Sequence, residues 1–153
     1  MPRRRALSAN TCDAPRLPEN RCDGYILSDL VRNPRGNVYR CIKRRGESAV
    51  GASIVVAAEL RFGAQKKGSA ALTERIEALL SRITIQAFDE PADRHYGLVR
   101  QRLQQRGQCI GPNDLLIAAH ALSLNRVLVT DHVDEFRRVP NLRVENWLRA
   151  CRE

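Results

Sequence analysis

Long apolar runs are missing from this chain, and no stretch approaches the roughly 20 residues that a membrane-spanning helix needs. Met1 is followed by Pro-Arg-Arg-Arg, but no apolar segment comes after it, so the pattern of a secretory signal is also missing. The cytoplasm is therefore the expected compartment, with no membrane contact. Paired cysteines are absent too. Cys12, Cys22, Cys41, Cys109 and Cys151 are odd in number, scattered and never spaced Cys-x-x-Cys, which argues against a disulfide framework and a structural zinc site. Five reduced thiols, some of them buried, are expected. Lysine is scarce, occurring only at positions 43, 66 and 67 among 26 basic residues, and no internal repeat is visible.

What is present is enough for one globular domain: 153 residues, 43% of them hydrophobic. A net charge of +9 favours a polyanionic partner, either nucleic acid or an acidic protein. The arginine excess has a blander source in a GC-rich genome, so charge serves only as a prior.

Residues 1–21 hold Pro2, Pro15 and Pro18 and no periodic apolar pattern; they read as an irregular or disordered leader ahead of a domain over 22–153. Ile26, Leu27, Leu30 and Val31 repeat at helical spacing and stop at Asn33-Pro34-Arg35-Gly36, a turn signature. Val38, Tyr39 and Ile42 predict a second short helix, ended by Gly46. Ala49 to Ala58 reads as a buried strand passing into a helix that carries Glu59, Leu60 and Phe62. Leu72, Ile76, Leu79 and Leu80 share one helical face, and Ile83-Thr84-Ile85 is a short strand. Pro91 suits the first turn of a helix capped by Asp89 or Glu90 and closed by Gly107. Asn113 or Asp114 caps the next helix, Leu115 to Leu124, which is apolar nearly all round and so central. Val127-Leu128-Val129 and Leu142-Arg143-Val144 are the last strands. Strands that are short apolar runs, alternating with helices, predict a parallel sheet covered on both faces.

Several acids stand where a charge is costly. Asp114 heads a helix too apolar for the surface, Asp131 closely follows a strand, and Glu59 follows the apolar run ending at Ala58. Sites in parallel α/β sheets form at the carboxyl ends of strands. Carboxylates gathered there repel one another and persist when a divalent cation neutralises them; oxygen-only ligands suit Mg²⁺ or Mn²⁺. Such a centre hydrolyses phosphodiesters without a His or Cys nucleophile. Each acid also has an ordinary reading: Asp114 as an N-cap, Asp131 as a turn former, Glu59 as an exposed residue paired with Arg61 or Lys66.

Taken in order, several segments resemble the PIN-domain family, and within it the VapC toxins of bacterial toxin–antitoxin pairs. They are Ile26-Leu-Ser-Asp-Leu30, Ala57-Ala-Glu-Leu-Arg-Phe-Gly63, His95-Tyr-Gly97, Gln108 through Leu124, Val127-Leu-Val-Thr-Asp131, Glu135-Phe136 and Arg143-Val-Glu-Asn-Trp147. The resemblance implies a three-layer α/β/α sandwich with a parallel sheet, a metal-dependent endoribonuclease using Mg²⁺ or Mn²⁺, RNA (transfer RNA included) as substrate, an antitoxin partner and a homodimer. It implies Glu59, Asp114, Asp131 and Asp23 as metal-binding catalytic acids, with Thr130, Asn113, Glu135 and Ser28 supporting them. Arg94, Arg100, Arg102 and Arg106 are the expected RNA contacts, set against a plain solvated helix face. His95 and His120 are expected to be structural and Trp147 a core plug.

The first motif departs from the family pattern, an apolar strand ending in Asp-Thr-Asn. Here Leu17-Pro-Glu-Asn-Arg21 and Cys22-Asp23-Gly24-Tyr25 precede Ile26. Asp23 falls at the expected distance, but a central strand is not expected from Pro-Glu-Asn-Arg. The first strand is thus expected to be degraded or missing, with residues 1–25 arising from an altered reading frame or displaced start. That leaves one competing function, an inactive PIN domain that still binds antitoxin or RNA. A receiver domain is disfavoured because no lysine follows a late strand. A haloacid-dehalogenase-type phosphatase is disfavoured because no Asp-x-Asp ends the first strand.

Overall fold

A computed structural model describes residues 20–149 and 151, so the expected leader, apart from Asn20 and Arg21, lies outside the described residues. Five parallel strands form one sheet in the order β3-β2-β1-β4-β5. They are β1 (Asn20–Cys22), β2 (Val50–Ser53), β3 (Thr84–Gln86), β4 (Val127–Val129) and β5 (Val144–Glu145). The helices are α1 (Gly24–Arg32), α2 (Asn37–Arg45), α3 (Ile54–Lys67), α4 (Ala70–Leu80), α5 (Ala92–Gln105), α6 (Pro112–Ser123) and α7 (Val133–Phe136). From β1 the chain steps outward through β2 to β3, then crosses back to β4 on the other side of β1. Right-handed crossovers put α1–α4 on one face and α5–α6 on the other; the helices pack chiefly within those groups, and α3 also meets α6 at the end of the sheet. The result is a three-layer α/β/α sandwich.

The expected loss of the first strand is corrected. Asn20–Cys22 pairs with β2 on one side and β4 on the other, through Asn20↔Val50 and Asn20↔Val127. The domain therefore takes in two residues assigned to the leader. A strand with neighbours on both sides gains its order from ladder hydrogen bonds, so three residues hold the centre of the sheet despite low strand propensity.

Three other elements begin elsewhere than the sequence predicts. The β-branched run Ile54-Val55-Val56 is helical rather than extended, because the Ser53 hydroxyl accepts the Val55 N–H at 3.2 Å and caps α3. α6 starts at Pro112 with Gly111 as its N-cap, so neither Asn113 nor Asp114 caps it. Likewise Pro91 itself, with no side-chain cap, precedes α5. α7 was not expected at all.

The core holds Ile26, Leu27, Val56, Leu103, Leu128 and Phe136, and Trp147 is fully buried as the plug expected of it. Its indole N–H donates to Glu145 at 2.8 Å while the Arg45 guanidinium lies over the ring, tying α2 to β5. Cys41, Cys109 and Cys151 are free thiols. None of the described helices is long and apolar enough to cross a membrane.

Candidate active site

The order in which strands are added reverses between β1 and β4, and there the carboxyl ends of these parallel neighbours open a crevice. Asp23 leaves β1 at that point, 3% exposed. Its backbone N–H donates to the Val129 carbonyl at 3.0 Å, and one carboxylate oxygen accepts the Ile26 N–H at 2.9 Å, capping α1. The other oxygen accepts the hydroxyl of Thr130, which is fully buried at the end of β4. Thr130 Oγ1 in turn accepts the His132 N–H at 3.0 Å. One buried hydroxyl thus fastens the two strand ends and the turn into α7.

Asp114 projects from the first turn of α6. A capping carboxylate would be spent on backbone amides; with Gly111 in the cap, Asp114 is free to face the crevice. Its carboxyl is pushed up to about 6, chiefly by burial, then by the charges of Glu135, Glu59 and Asp23, with His132 pulling the other way. That set of neighbours defines the cluster. Glu59, half-buried on α3, accepts the Asn113 side-chain amide at 2.9 Å. Arg61 does not neutralise it, since it holds Glu77 at 2.7 and 2.9 Å. Glu135 on α7 accepts the Gly111 N–H at 3.2 Å and lies 3.8 Å from His132 Nδ1.

Asp114, His132 and Glu135 offer ligand atoms within 4.8 Å of one another. A half-buried carboxylate facing three others, with the His132 imidazole opposing them, is the environment a divalent cation relieves. The donor set therefore fits one.

Asp131 is not brought to this group. Thr130 points inward to Asp23, and the chain bends at Asp131 as it leaves β4. Asp131 is accordingly exposed and accepts the Asn146 amide at 2.9 Å, on the β5 side. Glu135, expected only in support, takes the fourth corner. Ser28 lies half-buried on α1 and makes no side-chain hydrogen bond among the described residues. His132 was missed by sequence reasoning, though a rare histidine next to Thr130-Asp131 was a usable signal. His120 is structural as expected: buried at 2% exposure, it shares a 2.8 Å hydrogen bond with Ser53 Oγ and meets Phe88 edge-on.

The expected RNA-binding arginines separate. Arg94 lies 3.7 Å from Glu90 at the exposed start of α5, whereas Arg100 donates to the Tyr96 hydroxyl at 3.1 Å. Arg102 and Arg106 are exposed farther along the helix and its end.

Fold and cluster define a class, the doubly wound α/β proteins with an acidic centre at a topological switch point. The PIN domain family model matches residues 22–142, and the chain belongs to that family. Among relatives, "Ribonuclease VapC2" of Rickettsia felis is 42% identical over 101 residues, covering 65% of this chain and 75% of the relative. The "tRNA(fMet)-specific endonuclease VapC" of Shigella flexneri is 39% identical over 62% of this chain and 73% of its own length. The crystal structure of VapBC2 from Rickettsia felis, bound to a DNA fragment from their promoter, superposes with a TM-score of 0.79. It is 34% identical and covers 84% of this chain and 98% of that one.

Proposed function

We propose that this chain is the toxin of a type II toxin–antitoxin pair, an endoribonuclease of the cytoplasm that hydrolyses RNA phosphodiesters, transfer RNA among them. Asp23, Glu59, Asp114 and Glu135 are its carboxylates, holding Mg²⁺ or Mn²⁺. The observation that carries this reading is the half-buried Asp114 carboxyl, raised to about 6 amid three other acids. A bound cation would supply an activated water and offset charge on the phosphate. The chain's own part is positioning. Asp23 is locked by Ile26 and Thr130, Glu59 by Asn113, and Glu135 by the Gly111 amide, so the acids stay oriented while substrate enters. Thr130 also sets the path of the backbone that carries His132.

The relatives' names support ribonuclease activity, and a relative solved with its antitoxin supports a protein partner. An apolar groove of about 610 Å³ among α1, α2 and α4, lined by Leu30, Val31, Tyr39, Ile42, Leu79 and Ile83, suits an antitoxin segment. Phe62 and Leu98, 69% and 55% exposed, suit pairing with a second copy.

Induced without its partner in a bacterium, the chain is expected to arrest growth, and Asp114→Asn to relieve the arrest. Purified protein should cut RNA with Mg²⁺ and stop on chelation. Normal growth in cells that accumulate soluble wild-type protein would instead support an inactive PIN domain.

A further inference from the structure

Beside the acidic cluster lies a cavity of about 250 Å³, between α5 and the start of α6. Tyr96, Arg100 and Gln104 stand at successive i, i+4 positions and form its α5 wall, while Cys109, Ile110 and Pro112 form the facing loop. One short loop borders both the pocket and the acidic cluster, as a partition between them. Ile110 and Pro112 flank Gly111, whose N–H holds Glu135 at 3.2 Å and whose α-carbon is so near Asp114 that a Cβ there would stand 3.1 Å from Oδ2. Across this partition the chemistry changes sign. The cluster is carboxylate; the lining of the pocket contains a guanidinium, a phenol and a primary amide, and no acid.

Those groups match one ligand. The Arg100 guanidinium is steadied by the Tyr96 hydroxyl at 3.1 Å, 5.9 Å from the ring centroid, giving a planar cationic surface on a rigid helix. Single-stranded RNA is recognised by stacking bases on aromatic rings or guanidinium planes and by hydrogen bonds to their edges. Gln104, exposed one turn beyond Arg100, carries both a donor and an acceptor. The loop is braced from outside by Arg138, which donates to the Cys109 carbonyl at 3.3 Å.

We infer that this pocket receives one base of the RNA strand, adjacent to the phosphate at the acidic cluster, stacked on Arg100 and Tyr96 and read at its edge by Gln104. The inference rests on the ribonuclease reading and gives that site its sequence preference. Arg94, Arg102 and Arg106, outside the pocket, then contribute phosphate attraction without base choice.

The test uses single-stranded RNA carrying 2-aminopurine at each position in turn, bound to the full chain with Asp114→Asn to prevent cutting. Fluorescence is expected to be quenched at one position only. Arg100→Ala should abolish that quenching and weaken binding about fivefold or more. In otherwise wild-type protein with Mg²⁺, preference for the base beside the cut should be about tenfold. Gln104→Ala should reduce it below about twofold, by raising KM for the preferred RNA toward that of the others. Arg106→Ala should weaken all RNAs alike. Quenching at no position, or base preference unchanged in both pocket variants, overturns the pocket. Wild-type protein that cuts no RNA sinks the ribonuclease reading instead, and the quenching still decides whether a base enters here.

Discussion

Asp114 concentrates the tension of this molecule in one side chain. Its carboxyl has an ordinary value of 3.8 and is raised to about 6 in the fold, so between those values the native state holds a proton that the unfolded chain has released. Stability from this group therefore falls as pH climbs from about 4 to about 6, and the full penalty persists above. Half-burial and solvent screening limit it to about 1 kcal/mol. Asp114→Asn removes the charge and should make the metal-free protein more stable at pH 7.5 while abolishing RNA cleavage. The gain should shrink to nothing near pH 3.5. Thermal melts in chelator at the two pH values read this directly, and an Asn variant equally destabilised at both would refute it. Added Mg²⁺ should raise the wild-type melting temperature at pH 7.5 and do so progressively less below pH 6, where Asp114 takes up its proton.

At the scale of elements, the start of α6 decides where Asp114 points. Gly111 has φ −56° and ψ 150°, a conformation open to any residue, so backbone strain is not what calls for glycine. Space is: an added Cβ would sit 3.1 Å from Asp114 Oδ2. Gly111→Ala should leave the melting temperature within a few degrees yet displace that carboxylate, weakening Mg²⁺ binding and lowering turnover about tenfold. A variant with wild-type turnover would show that Asp114 moves freely. β1 gives a harsher prediction. Arg21→Pro removes a ladder N–H from a strand paired on both sides, through Arg21↔Gly51 and Arg21↔Leu128, and cooperative unfolding should be lost. If the variant melts normally, the central pairing is dispensable.

The same two elements mark how far the sequence could be read. Helices α1, α2 and α4 were legible because Ile26, Val38 and Ile76 belong to apolar stripes of period 3.6, and β4 because Val127-Leu128-Val129 is apolar throughout. β1 was not, since the order of Asn20–Cys22 comes from partners far along the chain. At the crevice, Glu59 and Asp114 stand near each other as their motifs led one to expect of their placement. Asp131 stands on the β5 side beside Asn146, because a sequence does not show which way successive side chains turn after a strand ends. α7, four residues long, is too short for periodicity, and the turn that brings Glu135 and His132 to Asp114 was invisible for that reason.

For the whole molecule, the governing quantity is charge of one sign spread around a small centre of the other. The chain carries a net charge of +9, and among the described residues arginines are mostly exposed, while Asp23, Glu59, Asp114 and Glu135 lie together at the switch point. A polyanion is drawn by the first and would be repelled by the second unless a cation is in place, so attraction and chemistry are supplied by different residues. They should respond differently to salt. Each phosphate neutralised on single-stranded RNA contributes about −0.7 to the slope of log affinity against log salt. Three to five contacts therefore predict a slope of about −2 to −3.5. Raising salt from about 50 to about 200 mM should then raise KM roughly 15-fold or more, with kcat nearly constant at fixed Mg²⁺. Replacing Arg102 or Arg106 should each reduce the slope by about one contact, whereas Asp114→Asn should leave it in place. A KM indifferent to salt would mean that the basic surface serves something other than RNA, and the acidic centre alone would then have to hold its substrate.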